Sequence, residues 1–352
     1  MGRQEKSMNK KKKKRKLIAW LVIFPILLLA CSFTAYGAIL YKKAEKAVND
    51  SYKEIDGRKG KSEYREAKVD PYTDNISILF IGVDGSDARN YGDATRSDAL
   101  MLATLNEKEK TVKLLSIPRD SYVYIDDVGY KTKINHAHAY GGIKSTVDTV
   151  ENLLKIPVDY YVEMNFYAFM EIVDTLDGIE VEVPYKISEI DSNDKKHAIR
   201  LDPGLQTLNG EEALALARTR KQDSDIMRGQ RQQEIMKAIL DKATSVKSAT
   251  KYSNLIDAIG SNMTTNMTFS EMKSLIEYGL SGHLNIESLT LAGTDSMIDG
   301  VYYYQLDDAA LEEIKTKLST HLELKNNVAN VDTNNNYDDE ENASNSEEEN
   351  NY

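Results

Sequence analysis

Apolar and polar positions alternate along this chain in three patterns, and each predicts a different kind of element. Leu17–Leu40 is largely apolar and carries no charge. A helix of that length spans roughly 36 Å, enough to cross a hydrocarbon core of about 30 Å. Ile76–Val83 is a short, nearly continuous apolar run, the pattern of a strand covered on both faces. Leu100–Leu105 and Val112–Ile117 read as two more strands joined by the turn Asn106–Lys110, and Asp159–Met164 and Ile179–Val183 as a further two, the last stopped by Pro184. Helical spacing takes over at Ile143, Val147, Val150 and Leu154, predicting a helix across Gly142–Leu154. Phe169, Ile172, Val173 and Leu176 form a second such stripe within Phe166–Leu176. Tyr185–Pro203 is polar and predicts an irregular surface excursion. Helices follow at Gly210–Ala217 and Arg228–Ala243, and another opens at Thr268, which has capping-box spacing to Glu271. Ile286–Leu291 and Val301–Leu306 read as late strands, and Asp308–Leu318 as a closing helix. The fold class is α/β: a mixed sheet with helices on both sides, behind one transmembrane helix.

Charge divides the chain further. The first sixteen residues hold nine Lys or Arg against one Glu, so 1–16 reads as a cytoplasmic basic tail, 17–40 as the membrane span and everything after it as extracellular. Leu28-Leu29-Ala30-Cys31 resembles a lipoprotein processing box, but the apolar run continues through Leu40, which favours an uncleaved anchor. Cys31 is the only cysteine, so no intrachain disulfide forms. Residues 41–70, rich in Lys, Glu, Asp, Ser and Gly, read as a partly helical stalk, and 71–324 as one folded domain. Residues 325–352, dense in Asn, Asp and Glu, have too little apolar surface to offset their ordering entropy and predict a disordered acidic tail. The basic head and acidic tail cancel, leaving the middle to carry the net charge of −11. An acidic domain argues against a nucleic-acid partner, and its arginine clusters are not a by-product of overall basicity.

Those clusters are the candidate chemistry. Asp84 follows the first strand, Arg96-Ser97-Asp98 leads into the second, and Arg119-Asp120 closes the third behind Pro118. Arg218, Arg220, Arg228 and Arg231 follow the helix at Gly210–Ala217. Strand ends of an open α/β sheet are where ligands bind. Guanidinium forks suit phosphate oxygens, and two carboxylates such as Asp84 and Asp98 suit a hard divalent cation. Asp87 and Asp93 share the first loop and compete for that role. Arg218 and Arg220 converge on one ligand only if their helix ends near Arg218, whereas Arg228 and Arg231 have the spacing to share a helix face. His136 and His138 suit structural hydrogen bonding better than catalysis, and the sequence contains no His-Glu-x-x-His, Walker loop or Gly-x-Ser-x-Gly elbow. The apolar helix stripes suit a core, or a slot for a long hydrocarbon chain.

Several segments together resemble one family in order and spacing. They are Ile81-Gly82-Val83-Asp84, Arg96-Ser97-Asp98, Leu115–Asp120, Lys133–Gly142, Thr149–Leu154, Asp159–Val162, Leu208–Leu214, Ala217–Arg220 and Arg228 through Gln233. The resemblance is to the LytR–CpsA–Psr family, and Gly300–Gln305 looks like its teichoic acid transferase branch. Ser224–Arg228 departs from the family's usual Gly-Asp-Phe-Gly-Arg, and Thr95 replaces its usual glycine. The resemblance implies an α-β-α sandwich and a membrane-anchored phosphotransferase of Gram-positive cell-wall assembly. Such an enzyme moves a glycopolymer, such as wall teichoic acid, from undecaprenyl pyrophosphate to the 6-hydroxyl of peptidoglycan N-acetylmuramic acid, forming a phosphodiester. It further implies that the polyprenyl tail enters a hydrophobic pocket between sheet and helices, and that Asp84 and Asp98 organise Mg2+, with Mn2+ as a substitute. Arg96, Arg119, Arg218 and Arg220 would bind the pyrophosphate, supported by Arg228 or Arg231. Asp84, Asp98 and Arg119 are the expected catalytic residues, with Asp84 or a neighbouring carboxylate as base. A lipid-pyrophosphate hydrolase and a non-catalytic wall-polymer binder or regulator are the alternatives.

Overall fold

A computed structural model describes residues 37–84, 95–193, 195–220, 224–244, 262–280 and 284–324. Its central strand, β1 (Ile76–Val83), runs antiparallel to β2 (Ser97–Asn106) and parallel to β6 (Tyr160–Asn165). β3 (Thr111–Ile117) adds antiparallel to β2, and β12 (Asn285–Thr290) adds parallel to β3. β11 (Met263–Thr265) closes the other edge, giving a six-stranded mixed sheet in the order β11-β6-β1-β2-β3-β12.

Side chains alternate across the sheet, so the apolar strands feed two cores. Leu79, Ile81, Leu100 and Leu102 pack on one face, beneath α2 (His136–Leu154) and α7 (Asp308–His321). Ile78, Phe80, Met101 and Ala103 pack on the other, beneath α6 (Phe269–Leu280) and α5 (Asp225–Ala243). The mixed sheet between helical layers agrees with the expected architecture. Also as expected, Thr268 and Glu271 exchange capping bonds at the start of α6.

α2 extends back beyond the predicted Gly142 to His136, across a kink where Gly142 adopts φ 60° and ψ −143°, a backbone open to glycine but not to residues with a Cβ. The excursion expected at Tyr185–Pro203 is ordered instead. β8 (Ile187–Glu189) pairs with β9 (Ile199–Leu201), and β10 (Gly204–Leu208) pairs with β7 (Ile179–Val183). Ile187 and Leu201 are buried in a third core with α3 (Phe166–Thr175), α4 (Gly210–Arg218) and α5. Three-residue strands are too short for alternation to stand out from their polar surroundings, so the pattern missed them.

Residues 37–51 form α1, and Ile39 is exposed. No helix among the described residues is long and apolar enough to cross a membrane, and most of the expected span, residues 17–36, lies outside them. The basic tail 1–16 and the acidic tail 325–352 also lie outside. Much of the expected stalk belongs to the domain. Ile55 is buried in the main core, and Arg58 pairs with Asp148 and Glu151 of α2. Arg65 forks onto Asp159 through Nε at 2.9 Å and Nη2 at 2.7 Å. Hydrophilic composition concealed this because the docking is made by charges. Glu151, also held by Ser62 Oγ at 2.6 Å and the Val158 N–H at 2.7 Å, is a carboxylate whose pKa burial pushes up against its cationic partner. Arg58→Ala strands that buried charge, and the expected cost of about 3 kcal/mol would lower the urea midpoint without altering the sheet. An unchanged midpoint would show that the segment is not docked.

Candidate active site

The arginine-bearing segments meet because the ends of five elements, β1, β2, β3, α4 and α5, lie together. β1 and β2 are the first pair. Gly82 faces Ala99 and Val83 faces Ser97, so Asp98 is the extra residue of a β-bulge. The bulge leaves the Asp98 side chain 34% exposed beside Val83, immediately before Asp84. β3 ends at Ile117, just before Pro118, and Arg119 Nη1 donates to Asp98 Oδ1 at 2.5 Å. Two carboxylates therefore stand at neighbouring strand ends, and one of them is already aligned by an arginine.

α4 supplies the next pair. Its start is secured by a capping box between Asn209 and Glu212, and Gly210 lets it approach α3 so closely that a Cβ there would lie 2.5 Å from the Met170 carbonyl. The helix stops at Arg218, and Thr219 turns extended at φ −60° and ψ 139°. The condition for Arg218 and Arg220 to converge is thereby met. Arg218 stacks over Phe166 with its guanidinium 4.8 Å from the ring centre.

α5 completes the set. Gly229 brings it onto β3, where a Cβ would fall 2.3 Å from Ser116 Oγ. Gln233 Nε2 donates to the carbonyls of Leu114 and Leu289, both at 2.8 Å, tying the helix to β3 and β12. Arg228, on the turn before Gly229, is buried and lies 2.7 Å from Asp225, an ion pair bent away from hydrogen-bond geometry. Burial depresses the Arg228 pKa most. Asp225 opposes that, the positive charges of Arg119 and Arg220 add to it, and the result is pushed down to about 10. It remains a cation at neutral pH. The Nε atoms of Arg119 and Arg228 are both buried without an acceptor among the described residues. Unsatisfied buried donors are costly, and those at a cavity mouth are available to an incoming anion.

The cavity itself measures about 350 Å³ and lies between the sheet and α3, α4 and α5. Asp98, Arg119, Arg218, Arg220 and Arg228 line its polar end, with Glu189 and Gln232. Phe80, Met101, Met164, Phe169, Leu214, Ile235, Met236 and Ile239 line the rest. A few convergent polar groups over an apolar slot are the usual composition of a ligand site.

The other expected residues are placed differently. Asp84 is half-buried at the adjoining strand end but does not line the cavity, and Arg96 is exposed and outside it. Arg231 also stands apart from the cavity, for it serves the helix end. Its Nε donates to the Leu216 carbonyl at 3.2 Å and its Nη2 to that of Thr219, holding the turn that carries Arg218 and Arg220. Shared spacing with Arg228 did not translate into a shared ligand, because the free carbonyls at the C-terminal end of α4 take the Arg231 donors. Asp87, Asp93 and the rest of that loop lie outside the described residues. His138 is structural, as expected. Nδ1 sits 2.6 Å from the Thr95 carbonyl and Nε2 2.7 Å from Glu163, pinning the approach to Arg96. Burial lowers its pKa, but the bonds to Glu163 and Thr95 outweigh this and leave it raised. Glu189 was missed with its strand. Thr219 Oγ1 donates to it at 2.7 Å, and a three-residue strand leaves no alternation in the sequence to find it by.

Known proteins resemble this chain over nearly all of that architecture. The LytR_cpsA_psr family matches residues 38–320. The polyisoprenyl-teichoic acid–peptidoglycan teichoic acid transferase TagT of Bacillus subtilis is 41% identical over 322 residues, 90% of this chain and 99% of its own. TagU of the same organism is 37% identical over 317 residues, again 90% and 99%. Among solved structures, TagT bound to LIIa-WTA superposes with a TM-score of 0.66 at 43% identity, covering 76% of this chain and 98% of that one. The LytR-CPS2A-psr family protein YwtF (TagT) with bound octaprenyl pyrophosphate lipid gives a TM-score of 0.62 at 40% identity, with the same coverage. The gathered arginines, the apolar slot and this end-to-end likeness agree, and the chain belongs to the LytR–CpsA–Psr family of transferases.

Proposed function

We propose that this protein transfers a glycopolymer, wall teichoic acid to judge by the relatives named above, from a polyprenyl pyrophosphate carrier to peptidoglycan. The observation that carries the reading is the gathering of four arginines from three separate segments at the mouth of an apolar cavity. A prenyl chain suits the cavity between the sheet and α3–α5, and a diphosphate suits the guanidinium groups above it. Relatives named as teichoic acid transferases, and one seen with octaprenyl pyrophosphate, support the assignment of both halves. The basic tail and apolar run before residue 37 would hold the domain on the outer surface of the membrane.

The reaction needs no covalent nucleophile. The 6-hydroxyl of N-acetylmuramic acid attacks the phosphorus attached to the polymer, and the bond from that phosphorus to the bridging oxygen breaks. Lipid monophosphate leaves with the electron pair, and a phosphodiester remains. Phosphoryl transfer of this kind is governed by positioning and by neutralising oxygen charge. Arg119, oriented by Asp98, and Arg228, oriented by Asp225, offer their unpaired Nε donors to the phosphates, while Arg218 and Arg220 close from the α4 end. Asp84 takes the hydroxyl proton, or a neighbouring carboxylate does.

A magnesium ion fits the donor set. No group of three or more His, Cys, Asp or Glu able to hold a metal occurs among the described residues, while two carboxylates stand at adjoining strand ends. Magnesium commonly takes one or two carboxylates and completes its shell with phosphate oxygens and water. Asp84 and Asp98 would hold it, and it would supply positive charge to the diphosphate.

Arg119→Ala is expected to lower transfer about 10²–10³-fold with an unchanged unfolding midpoint, measured on a short lipid-linked precursor and uncrosslinked glycan. Near-normal kinetics would refute pyrophosphate clamping. Ala99→Trp, which fills the cavity beside Gly82, should abolish octaprenyl pyrophosphate binding in a direct titration while the arginines stay in place. In the same assay, chelation should stop transfer, and Mg2+ or Mn2+ should restore it. Asp84→Asn should keep lipid binding and lose rate, and full rate would remove Asp84 from the role of base.

A further inference from the structure

Across the arginine cluster from the lipid cavity lies a surface that the donor half of this reaction does not use. β4 (Tyr122–Ile125) and β5 (Tyr130–Lys133) form an antiparallel hairpin that starts three residues after Arg119. Its registry places Tyr122 opposite Lys133 and Tyr124 opposite Lys131, so the four side chains share one face. Val123 and Ile125, on the other face, are buried in the core under α2. A second hairpin, β13 (Gly293–Ile298) with β14 (Val301–Leu306), joins the first through the bridge between Ser121 and Tyr304. It brings the Tyr303 ring to 4.7 Å from that of Tyr122, and Lys133 stands 5.6 Å from Tyr302 and 5.8 Å from Tyr303.

Cross-strand tyrosine–lysine pairs stabilise a small hairpin, and that alone accounts for part of the pattern. It does not account for Tyr124, which is 51% exposed, or for tyrosines from a second hairpin gathered at the same edge. Flat aromatic faces with hydroxyls and ammonium groups at their rims match a sugar strand. Pyranose C–H faces stack on the rings, and hydroxyls, amides and carboxylates meet the polar rims. The platform is continuous with the active site through one carboxylate: Lys133 Nζ lies 2.8 Å from Asp120 Oδ1, and Arg119 Nε lies 3.7 Å from Asp120 Oδ2.

Direction decides which strand lies there. In-line displacement at phosphorus brings the attacking oxygen in opposite the leaving oxygen. The leaving lipid phosphate is tethered on the cavity side of the sheet, whereas the inner face of the β4–β5 hairpin packs into the core on the opposite side. We infer that the Tyr122–Tyr124–Lys131–Lys133 face, with Tyr303, binds the acceptor glycan strand and presents its hydroxyl toward Arg119. This inference rests on the transferase reading above.

The test uses the full chain in detergent and the exposed variants Tyr124→Ala and Lys131→Ala, neither of which removes a core side chain. Uncrosslinked glycan strands, lipid-free teichoic acid polymer and octaprenyl pyrophosphate are titrated separately, and transfer kinetics are measured for the same proteins. Each variant should weaken glycan binding and raise the apparent KM for glycan by roughly five- to tenfold, the scale of one lost aromatic or cationic contact. Binding of lipid and of free polymer, the KM for the lipid-linked donor and the unfolding midpoint should not change. Weakened polymer binding with intact glycan binding would give the platform to the donor and overturn the inference, as would no change with either. If the wild type binds glycan here and octaprenyl pyrophosphate at the cavity but forms no phosphodiester, the transferase reading fails while the glycan surface stands.

Discussion

Like charges repel, and a folded domain must offset that repulsion wherever it gathers cations out of water. Here Arg228 is buried, within the field of Arg119 and Arg220, and its pKa is drawn down by burial and by those neighbours. Among the described residues, Asp225 lies against Arg228, and Asp98 and Asp120 lie against Arg119, yet the guanidinium Nε of each arginine is without a hydrogen-bond acceptor. The cluster is held together by the elements that carry it, and a bound anion would offset its charge. Much of the surrounding structure serves that constraint.

Several local devices supply the rigidity. The bulge at Asp98 turns a carboxylate outward at a strand end. The glycines at positions 210 and 229 let α4 and α5 approach α3 and β3 more closely than any side chain permits. Arg231 and Gln232 occupy the carbonyls at the end of α4, so the helix stops where Arg218 and Arg220 can both reach the cavity. Beneath the second strand's approach, His138 and Glu163 fix the Thr95 carbonyl. The candidate site groups are thus seated on a scaffold of backbone contacts and do not depend on flexible side chains finding one another.

The sheet also divides labour between its faces. One face opens into the apolar slot under α3–α5, and the opposite core supports the tyrosine- and lysine-bearing hairpins. A diphosphate at the shared edge would sit between a lipid on one side and a sugar on the other. The edge groups do not reach outside the sheet to meet them, because β1, β2 and β3 deliver Asp84, Asp98 and Arg119 to the same end.

Long elements were legible in the residues themselves. β1, β3, α3, α4, α5 and α7 lie where periodicity placed them, because a strand covered on both faces and an amphipathic helix each leave a repeat several residues long. The short strands β8 and β9 left no repeat because each is three residues long, and the docking of Arg58 onto α2 and of Arg65 onto Asp159 left none because those partners are distant in the chain. The candidate site shows the same division. Residue types and spacing nominated the arginines and aspartates, but Arg228 and Arg231 look alike in sequence, and only packing sends one to the cavity and the other to a helix end. Local chemistry is written in each residue and its neighbours along the chain. Which group is desolvated, which donor stays unpaired and which face a hairpin turns outward depend on contacts between segments far apart in sequence, and the tertiary structure alone decides them.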